Sequence, residues 1–516
     1  MSGPTTTGIS EASERCIGSG TQRARLSSLT ALVFLLPVLL LYWQVGGPSG
    51  LLADPSTGVH VRAGQWILAH HGVPRRDLFS FTMPEKRWCD WEWGSDAIFA
   101  LVYRMHGLSA VAALALLLLC LVSLVVYRTA RLYAGPVAAA TTCALVMAAT
   151  TIHWLARPHM FTWLALAIFC ELLERDVGKI ELFVLAAVMA VWVNLHPGFV
   201  AGLLVLAACF ADAVLENWLG TTRGHGSQSG WRACWYALAI AVAAATTLVN
   251  PYGFGLDRHI ISYLFSRSTV TAHVSEWLSP SFHNPRLAWF ELLLPLAAAA
   301  GVWHGLKHRF YWCLLIFGFM HLALLSVRNV PLFAIVCAAP VAAAGEEALR
   351  KLDFWRYVRE AEGVARGSRR ARITLALWGI GFAAIVAVGI SPVPLGAGSC
   401  IPVAAIRRLP PGRVFTTDQW ADYLIYAQPD RRVFFDGRND FYGPAFVQTY
   451  LTLLKAKPGW QEALARYRVS VILVPVRSSI SAALSGAPGW RILYRDAGAI
   501  VFGRTEPMAR GREEGG

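Results

Sequence analysis

Charge is scarce in this chain. Asp, Glu, Lys and Arg together make up 15% of its 516 residues, whereas soluble globular proteins carry about 25%. Hydrophobic residues make up 55% of the chain, and they include 20 Trp and 25 Phe. So little charge argues against an ordinary soluble domain and favours a protein whose surface faces lipid.

Several familiar catalytic and cofactor motifs are also missing. The sequence contains no phosphate-binding loop, no dinucleotide fingerprint, no zinc-ligand spacing and no nucleophile elbow. The net charge of +14 could suggest a nucleic-acid partner. However, the basic residues lie in short loops between apolar runs rather than on one face of a domain. We therefore predict no cofactor and no nucleic acid as a partner.

Long apolar runs dominate the first part of the chain. A helix that crosses a membrane needs about 17–25 mostly apolar residues. Runs of this kind predict about eleven transmembrane helices, near residues 28–46, 107–127, 134–153, 159–174, 180–194, 197–216, 233–249, 287–304, 310–326, 330–345 and 373–391. Only Leu195 and His196 separate the fifth run from the sixth, so these two runs are also compatible with one bent element.

The short loops predict the orientation, because Lys and Arg concentrate on the cytoplasmic side of a membrane. Arg23 and Arg25 precede the first run, and residues 346–372 are rich in Lys and Arg. We predict a multi-pass protein of the bacterial cytoplasmic (inner) membrane with its N-terminus in the cytoplasm. Its predicted parts are a disordered cytoplasmic segment, a transmembrane domain with a large first outer loop and a soluble domain outside: residues 1–27, 28–391 with the loop at 47–106, and 392–516.

The segment after the last apolar run alternates between strand-like and helix-like patterns. Apolar runs at 413–417, 432–436 and 470–475 predict strands. Residues 444–466 predict a broken helix, and residues 490–502 predict a closing hairpin. Such alternation indicates a small layered sheet. The predicted fold class is therefore an all-α polytopic membrane bundle with a small C-terminal α/β domain.

Two of the ten cysteines, Cys89 and Cys400, lie in the predicted outer segments, whereas most of the others lie inside apolar runs. An oxidising outer compartment would allow these two cysteines to form a disulfide. Such a bridge would dock the soluble domain on the first outer loop.

Polar clusters gather at the predicted outer ends of the helices, whereas the inner loops carry mainly basic residues. Ionisable groups at membrane depth are costly and usually face a cavity or a partner. The alternative is ordinary anchoring of helix ends, since Trp and Tyr favour membrane interfaces and Pro and Gly end helices. We predict an outward-facing polar cavity with ten candidate substrate-binding residues: His60, Arg62, Asp77, Glu92, Arg157, His196, Asn250, Tyr252, Glu276 and Arg328.

The first outer loop begins with Asp54, Pro55 and Ser56, which resemble the start of a helix. Apolar residues at helical spacing from Val59 predict a helix of about four turns on the membrane surface. Residues 72–74 would end it. A carboxylate directly after a span and above an outward cavity suits a general base or a metal ligand. Asp54 is therefore the candidate catalytic residue.

This loop resembles the first outer loop of bacterial membrane proteins of the GT-C glycosyltransferase superfamily. It is more distantly similar to the loop of the lipid A aminoarabinose transferase and of the protein O-mannosyltransferases. The resemblance implies a GT-C fold with Asp54 as catalytic base. The better-understood enzymes often carry paired acids here, whereas Pro55 follows Asp54; a divalent metal is possible but no paired-acid motif supports it. The resemblance rests on residues 54, 60–67, 72–80, 157–158, 194–196, 250–253, 275–277, 328–331, 420–424 and 435–440.

Two classes of function remain open. The resemblance implies an inverting glycosyltransferase that moves a sugar from a polyprenyl-phosphate donor to an acceptor glycan, lipid or protein at the outer face, among membrane lipids. Arg157, Arg328 or the His residues would neutralise the departing phosphate. The alternative is a non-enzymatic lipid or glycan transporter or a membrane assembly factor. A glycan ligase or polymerase outside this superfamily would use similar residues. Transporters usually contain internal repeats, and none is apparent, which favours the enzyme.

Overall fold

The computed structural model describes residues 28–174, 178–220, 229–265, 275–357, 368–396 and 401–505. Two predictions concern residues outside this part of the chain. They are the disorder of residues 1–27 and the disulfide between Cys89 and Cys400, of which only Cys89 is described.

Every predicted apolar run forms a helix. Within these described ranges, seven helical stretches are long and apolar enough to cross a membrane, and three shorter apolar helices accompany them. The chain is a multi-pass membrane protein, and the predicted fold class is confirmed. The bundle helices are Ser28–Leu40, Leu108–Ala130, Pro136–Thr150, His159–Leu173, Lys179–Trp192, Val200–Leu219, Ser229–Thr246, Ala288–Leu306, Phe310–Leu325, Val330–Leu349 and Ser368–Ile390.

The fifth and sixth apolar runs form two separate helices rather than one bent element. The fifth helix ends at Trp192, and a short 3₁₀ turn at Pro197–Phe199 precedes the sixth. Proline fixes its own backbone and has no amide proton, so it suits the first turn of a helix and not its interior. The residues between the two helices, including His196, are therefore placed at the end of the bundle.

Hydrogen bonds join the loops at one end of the bundle, which we call the loop face because it carries residues 47–107. The amide of Ala156 donates to the carbonyl of Leu51 at 2.7 Å, and the amide of Val327 donates to the carbonyl of Leu278 at 2.9 Å. These loops follow the first, third and ninth bundle helices and precede the eighth. The odd-numbered helices therefore all end at the loop face.

Loops that follow even-numbered helices meet at the opposite end. There the amide of Gly135 donates to Glu346 at 3.1 Å, and the indole of Trp312 donates to Glu174 at 3.2 Å. This separation is what alternating transmembrane helices require. It fixes which loops share a face, while the assignment of the loop face to the outside of the cell stays a prediction.

The predicted surface helix is present at Ser56–His70 and ends with His71 in the left-handed region, at φ 51°. It packs closely against a second loop-face helix, Trp93–His106. A Cβ on Gly64 would lie 1.8 Å from the backbone oxygen of Asp96, so a side chain at this position would force the two helices apart. Glycine thus allows the close approach.

The C-terminal domain contains a four-stranded sheet of mixed direction, in the order β1-β2-β4-β3. Strands β1 and β2 are parallel, and the other pairs are antiparallel. The elements are β1 Val414–Thr416, β2 Val471–Pro475, β3 Trp490–Arg495 and β4 Ala499–Arg504, with helices Asp418–Ala427, Pro444–Leu454, Trp460–Arg466 and Ser479–Ser485 between them.

The strand predicted at 432–436 forms only isolated bridges. Val433 pairs with Val414 of the sheet and also with Ser80 of the first loop. The amide of Phe81 donates to the carbonyl of Val433 at 3.1 Å, and the hydroxyl of Thr82 donates to that of Phe434 at 2.8 Å. The segment therefore links the C-terminal domain to the first loop instead of extending the sheet.

Candidate functional site

Arg157 lies at the loop face, between the helices Pro136–Thr150 and His159–Leu173. Its Nη1 donates to Oδ2 of Asp54 at 3.0 Å and to Oε1 of Glu276 at 2.6 Å. The side chains of these three residues, which we call the Arg157 triad, are 20–23% exposed. The structure thus brings three candidate residues from three separate loops into contact, where solvent can still reach them.

Asp54 has two roles in this arrangement. Its Oδ1 accepts a hydrogen bond from the amide of Ser56 at 2.8 Å, which caps the start of the surface helix. Its Oδ2 faces Arg157. The cap fixes the side chain, so the second oxygen points in a defined direction and can accept a proton from a molecule that binds beside it.

The charges of the triad support one another. Burial alone would raise the pKa of Glu276, but Arg157, His153 and Arg328 together lower it to about 2. Burial alone would lower the pKa of Arg157, but Glu276 and Asp54 raise it. Glu276 is therefore a carboxylate and Arg157 a cation at neutral pH, and each stabilises the charge of the other.

Arg328 provides a second cation beside the triad. Its guanidinium lies over the ring of Trp277, 4.6 Å from the centroid, and it makes no ion pair with any described carboxylate. The hydroxyl of Ser326 donates to the backbone oxygen of Glu276 at 2.8 Å, which holds the Arg328 turn against the loop of Glu276. Arg328 can therefore offer its charge to a bound anion.

His196 and Glu92 lie close together near the triad. Burial lowers the pKa of His196 well below its usual range, so its ring is neutral. Nδ1 of the ring accepts a hydrogen bond from the amide of Gly198 at 3.0 Å. The single ring proton must then be on Nε2, which lies 3.3 Å from Oε1 of Glu92.

His60 extends this cluster to Asp96. Nδ1 of His60 lies 2.8 Å from Oδ1 of Asp96 and 3.8 Å from Oε2 of Glu92. Burial lowers the pKa of His60 and raises the pKa values of Glu92 and Asp96. Sequence reasoning missed Asp96. Its signal was an acidic residue in the first turn of a helix, four positions after Glu92 and on the same helical face.

Two candidate residues lie apart from the triad on the side of the C-terminal domain. Arg62 donates to Gln65 of its own helix at 2.5 Å. Asp77 is almost fully buried and accepts a hydrogen bond from Arg438 at 2.8 Å. The structure does not bring either side chain into the predicted cavity.

Asn250 and Tyr252 also serve the loops themselves. Oδ1 of Asn250 accepts from the amide of Tyr252 at 2.7 Å, which forms a tight turn. The hydroxyl of Tyr252 accepts from the amide of Asp90 at 2.9 Å and donates to the carbonyl of Pro74 at 3.1 Å. These contacts fix the first loop against the turn after the seventh bundle helix.

The residues of the triad do not form a metal-ligand set. Within the described ranges, no three His, Cys, Asp or Glu side chains are grouped to hold a metal ion. Asp54 and Glu276 both face Arg157. In this arrangement a guanidinium group bridges the two carboxylates.

A cleft of about 730 Å³ opens beside the triad. It reaches Ala53, the chain neighbour of Asp54. Its other walls come from the end of the first bundle helix, from the turn after the third bundle helix and from the start of the eighth. They are formed by residues 43–46, 49, 50, 151, 152, 154, 155, 285, 286 and 289. A volume of this size falls in the range of about 300–1,000 Å³ that small-molecule sites occupy.

Comparisons with known proteins support the fold. No family model matches the sequence, and no curated protein matches it. The structure is similar to that of the oligosaccharyltransferase of Archaeoglobus fulgidus in its apo form, with a TM-score of 0.56 and 12% identity over 88% of this chain and 70% of that one. It is also similar to the same enzyme tethered through a disulfide bond to an acceptor peptide with the NVT sequon, with a TM-score of 0.54 and 12% identity over 93% and 74% of the chains.

At this identity the similarity concerns the fold alone. The helical membrane bundle with a small C-terminal sheet is therefore confirmed and resembles the fold of that oligosaccharyltransferase, whereas membership of the GT-C superfamily stays a prediction. The resemblance to particular bacterial relatives stays a prediction, as do the roles of the individual residues.

Proposed function

We propose that this protein is a GT-C-type glycosyltransferase that moves a sugar from a polyprenyl-phosphate donor to an acceptor at the outer face of the bacterial cytoplasmic membrane. The contact of Asp54, Arg157 and Glu276, next to an open cleft that reaches Ala53, carries the proposal. In this proposal the loop face and the C-terminal domain, from about residue 392, lie outside the cell, and the N-terminus lies in the cytoplasm.

Asp54 acts as the general base. Its Oδ2 takes the proton of an acceptor hydroxyl while the hydroxyl oxygen forms a bond to the anomeric carbon of the donor sugar. The bond between that carbon and the phosphate oxygen breaks on the opposite side, so the configuration inverts. The proton ends on Asp54 and the electron pair on the departing lipid phosphate.

The arginines bind the phosphate. Negative charge grows on the leaving group as its bond breaks, and fixed cations nearby stabilise that charge in the transition state. Arg328 has no carboxylate partner in the described chain, so it can bind the phosphate directly. Arg157 is held by Glu276, and it loses its contact with Asp54 when the phosphate competes for it, which leaves Oδ2 free to accept a proton.

Glu276 acts as a positioning residue. Its carboxylate fixes Arg157 at 2.6 Å, and its loop is bonded to the turn that carries Arg328. Both cations are thereby held at set places on the loop face. This preorganisation lowers the cost of stabilising charge at the moment of reaction.

The test is Asp54→Asn, which removes the proton-accepting oxygen and keeps the shape. General-base catalysis contributes about 10²–10⁴-fold, so transfer should slow by that factor. Asn caps helices about as well as Asp, so the unfolding temperature should change little. Transfer is measured as glycan modification in membranes of a strain that lacks the protein, complemented with each variant.

Asp430→Asn is the matched control, because Asp430 is an exposed carboxylate of the C-terminal domain. It should transfer at the wild-type rate. Full activity of Asp54→Asn would remove Asp54 from the mechanism, and it would favour a transporter or an assembly factor.

A further inference from the structure

We infer that the cleft beside Asp54 binds the acceptor, and that this acceptor is a membrane lipid whose head group carries a hydroxyl and a negatively charged phosphate. The inference rests on the proposed function and names its acceptor class. It depends on where the cleft lies, on its polar atoms and on the base next to it.

The cleft lies at the level of the lipid head groups. Trp43, at the end of the first bundle helix, and Trp289, at the start of the helix Ala288–Leu306, both line it, with ring centroids 5.9 Å apart. Tryptophan at the ends of transmembrane helices marks the boundary between hydrocarbon and water. A lipid could therefore enter from the side, with its chains in the bilayer and its head group in the cleft.

The backbone of the first helix changes where it meets the cleft. A π-helical turn at Leu41–Val45 presents Trp43, Gln44 and Val45 to it. Such turns are uncommon and occur frequently at functional sites. The Oε1 atom of Gln44 accepts a hydrogen bond from Thr151 at 2.8 Å, which fixes the amide.

The other amide atom of Gln44 lacks a partner. Nε2 is buried and makes no hydrogen bond to the described residues. A buried donor without an acceptor is costly, and native proteins normally satisfy it. An oxygen-rich head group in the cleft would supply the missing acceptor.

Arg286 supplies charge at the rim of the cleft. Its side chain is exposed and makes no ion pair with a described carboxylate. Guanidinium groups bind phosphate through two parallel hydrogen bonds. A lipid phosphate at Arg286 would leave the outer part of the head group directed towards Ala53 and Asp54.

The cleft suits the acceptor rather than the donor for a chemical reason. The base must touch the hydroxyl that it deprotonates, and Ala53, the chain neighbour of Asp54, lines the cleft. The cation proposed for the donor phosphate, Arg328, does not line the cleft and lies over Trp277 instead. The two lipids would therefore occupy separate places that meet at the Arg157 triad.

The test uses the full chain in lipid nanodiscs and a photoreactive phosphatidylglycerol with a diazirine on one acyl chain. Labelled peptides are identified by mass spectrometry. We expect labels in residues 43–53, 151–155 and 285–289, and competition by unlabelled phosphatidylglycerol but not by phosphatidylcholine, which has no hydroxyl and no net charge. Labels elsewhere, or equal competition by both lipids, would overturn the inference.

Two pairs of variants sharpen the test. Trp43→Ala should reduce labelling about tenfold, since aromatic anchors of this kind dominate binding sites. Tyr42→Ala should not, because Tyr42 is the neighbouring residue, is similarly exposed and does not line the cleft. Arg286→Gln should abolish the preference for the anionic lipid, whereas Arg258→Gln, at another exposed arginine, should keep it. Wild-type labelling of Trp43→Ala would also refute the inference.

The labelling does not depend on transfer, so the two proposals can fail separately. If labels miss the cleft while Asp54→Asn is inactive in transfer, the acceptor assignment is wrong and the proposed function stands. If labels map to the cleft while Asp54→Asn is fully active, the lipid site stands and the proposed chemistry is wrong.

Discussion

Arg157 and Arg438 each form ion pairs with two carboxylates, yet Arg157 is half-buried and Arg438 is more deeply buried. Arg157 bonds Asp54 and Glu276 on the loop face, and all three side chains are 20–23% exposed. Arg438 bonds Asp77 and Asp436, whose side chains are 0–1% exposed. Solvent can reach the first group, while the second is closed.

Aromatic rings complete the closure around Arg438. The guanidinium lies 4.6–4.9 Å from the centroids of Phe79, Trp88 and Phe441. Asp77 and two of these rings belong to the first loop, and Asp436 belongs to the C-terminal domain. We call this group the Arg438 latch, because it fastens the domain to the loop that begins with Asp54.

This difference in exposure distinguishes an ion pair that only stabilises the fold from one that can take part in a reaction. A buried pair with no access can only stabilise a conformation, and its loss leaves an uncompensated charge. A pair that solvent can reach can exchange partners when a substrate arrives. The same residue types therefore predict only a loss of stability at the latch, whereas at the triad they predict a loss of rate beside a smaller loss of stability.

The largest effect should come from breaking the latch. Arg438→Ala leaves Asp77 and Asp436 buried without a cation, and removing one partner of a buried pair costs about 3–5 kcal/mol. We expect a lower unfolding temperature and faster proteolytic release of the C-terminal domain. Arg432→Ala, at an exposed neighbour, should stay within about 0.5 kcal/mol of wild type. An Arg438→Ala protein as stable as wild type would contradict the latch.

A smaller effect should appear at the triad when the pH falls. The pKa of Glu276 is about 2 in the folded protein and 4.5 ordinarily, and each pKa unit corresponds to about 1.4 kcal/mol, so its ionised form contributes at most about 3.5 kcal/mol. Because folding lowers this pKa, the contribution is complete above pH 4.5 and is lost as the pH falls towards 2.

Unfolding curves between pH 2 and pH 7 measure this contribution. Glu276→Gln should be less stable than wild type at pH 7, and the difference should vanish near pH 2. Glu85→Gln is the control, since Glu85 forms an exposed ion pair with Arg76, and exposed pairs contribute about 0–1 kcal/mol. If the difference in stability between Glu276→Gln and wild type were the same at all pH values, Arg157 and its neighbours would not lower the pKa of Glu276.

The smallest effect should come from Arg62, an arginine that joins no carboxylates in the described structure. Its hydrogen bond to Gln65 stays on one helix. Arg62→Gln should therefore change stability by less than about 0.5 kcal/mol and leave transfer within about twofold of wild type. A loss of transfer as large as that expected at Arg157 would place Arg62 in the site after all.

Local sequence patterns sufficed for the bundle and for part of the site. Apolar runs fix the helices because a transmembrane helix must cover its whole length with apolar side chains. Asp54, Arg157 and Glu276 could be proposed from the same reasoning, because each is an ionisable residue beside the end of a span. Because successive transmembrane helices run in opposite directions, counting the spans is enough to place all three residues on the same face of the membrane.

Contacts between distant segments could not be inferred in this way. Asp77 and Arg438 are 361 positions apart, and no periodic pattern reports such a pair. Asp77 therefore looked like a cavity residue, although the docked domain buries it in the latch. Asp96 was missed for a similar reason. Its partner His60 lies on another helix, and the two helices can approach closely because residue 64 is a glycine.

The contrast between the two arginines is tested most directly by the transfer rates of Arg157→Gln and Arg438→Gln, measured per folded molecule below both unfolding temperatures. Arg157→Gln should lose about 10²–10³-fold, as enzymes do when a charge-stabilising donor is removed. Arg438→Gln should transfer at close to the wild-type rate once folded. Equal losses in both variants, or full activity of Arg157→Gln, would contradict the assignment of the triad to chemistry and the latch to structure.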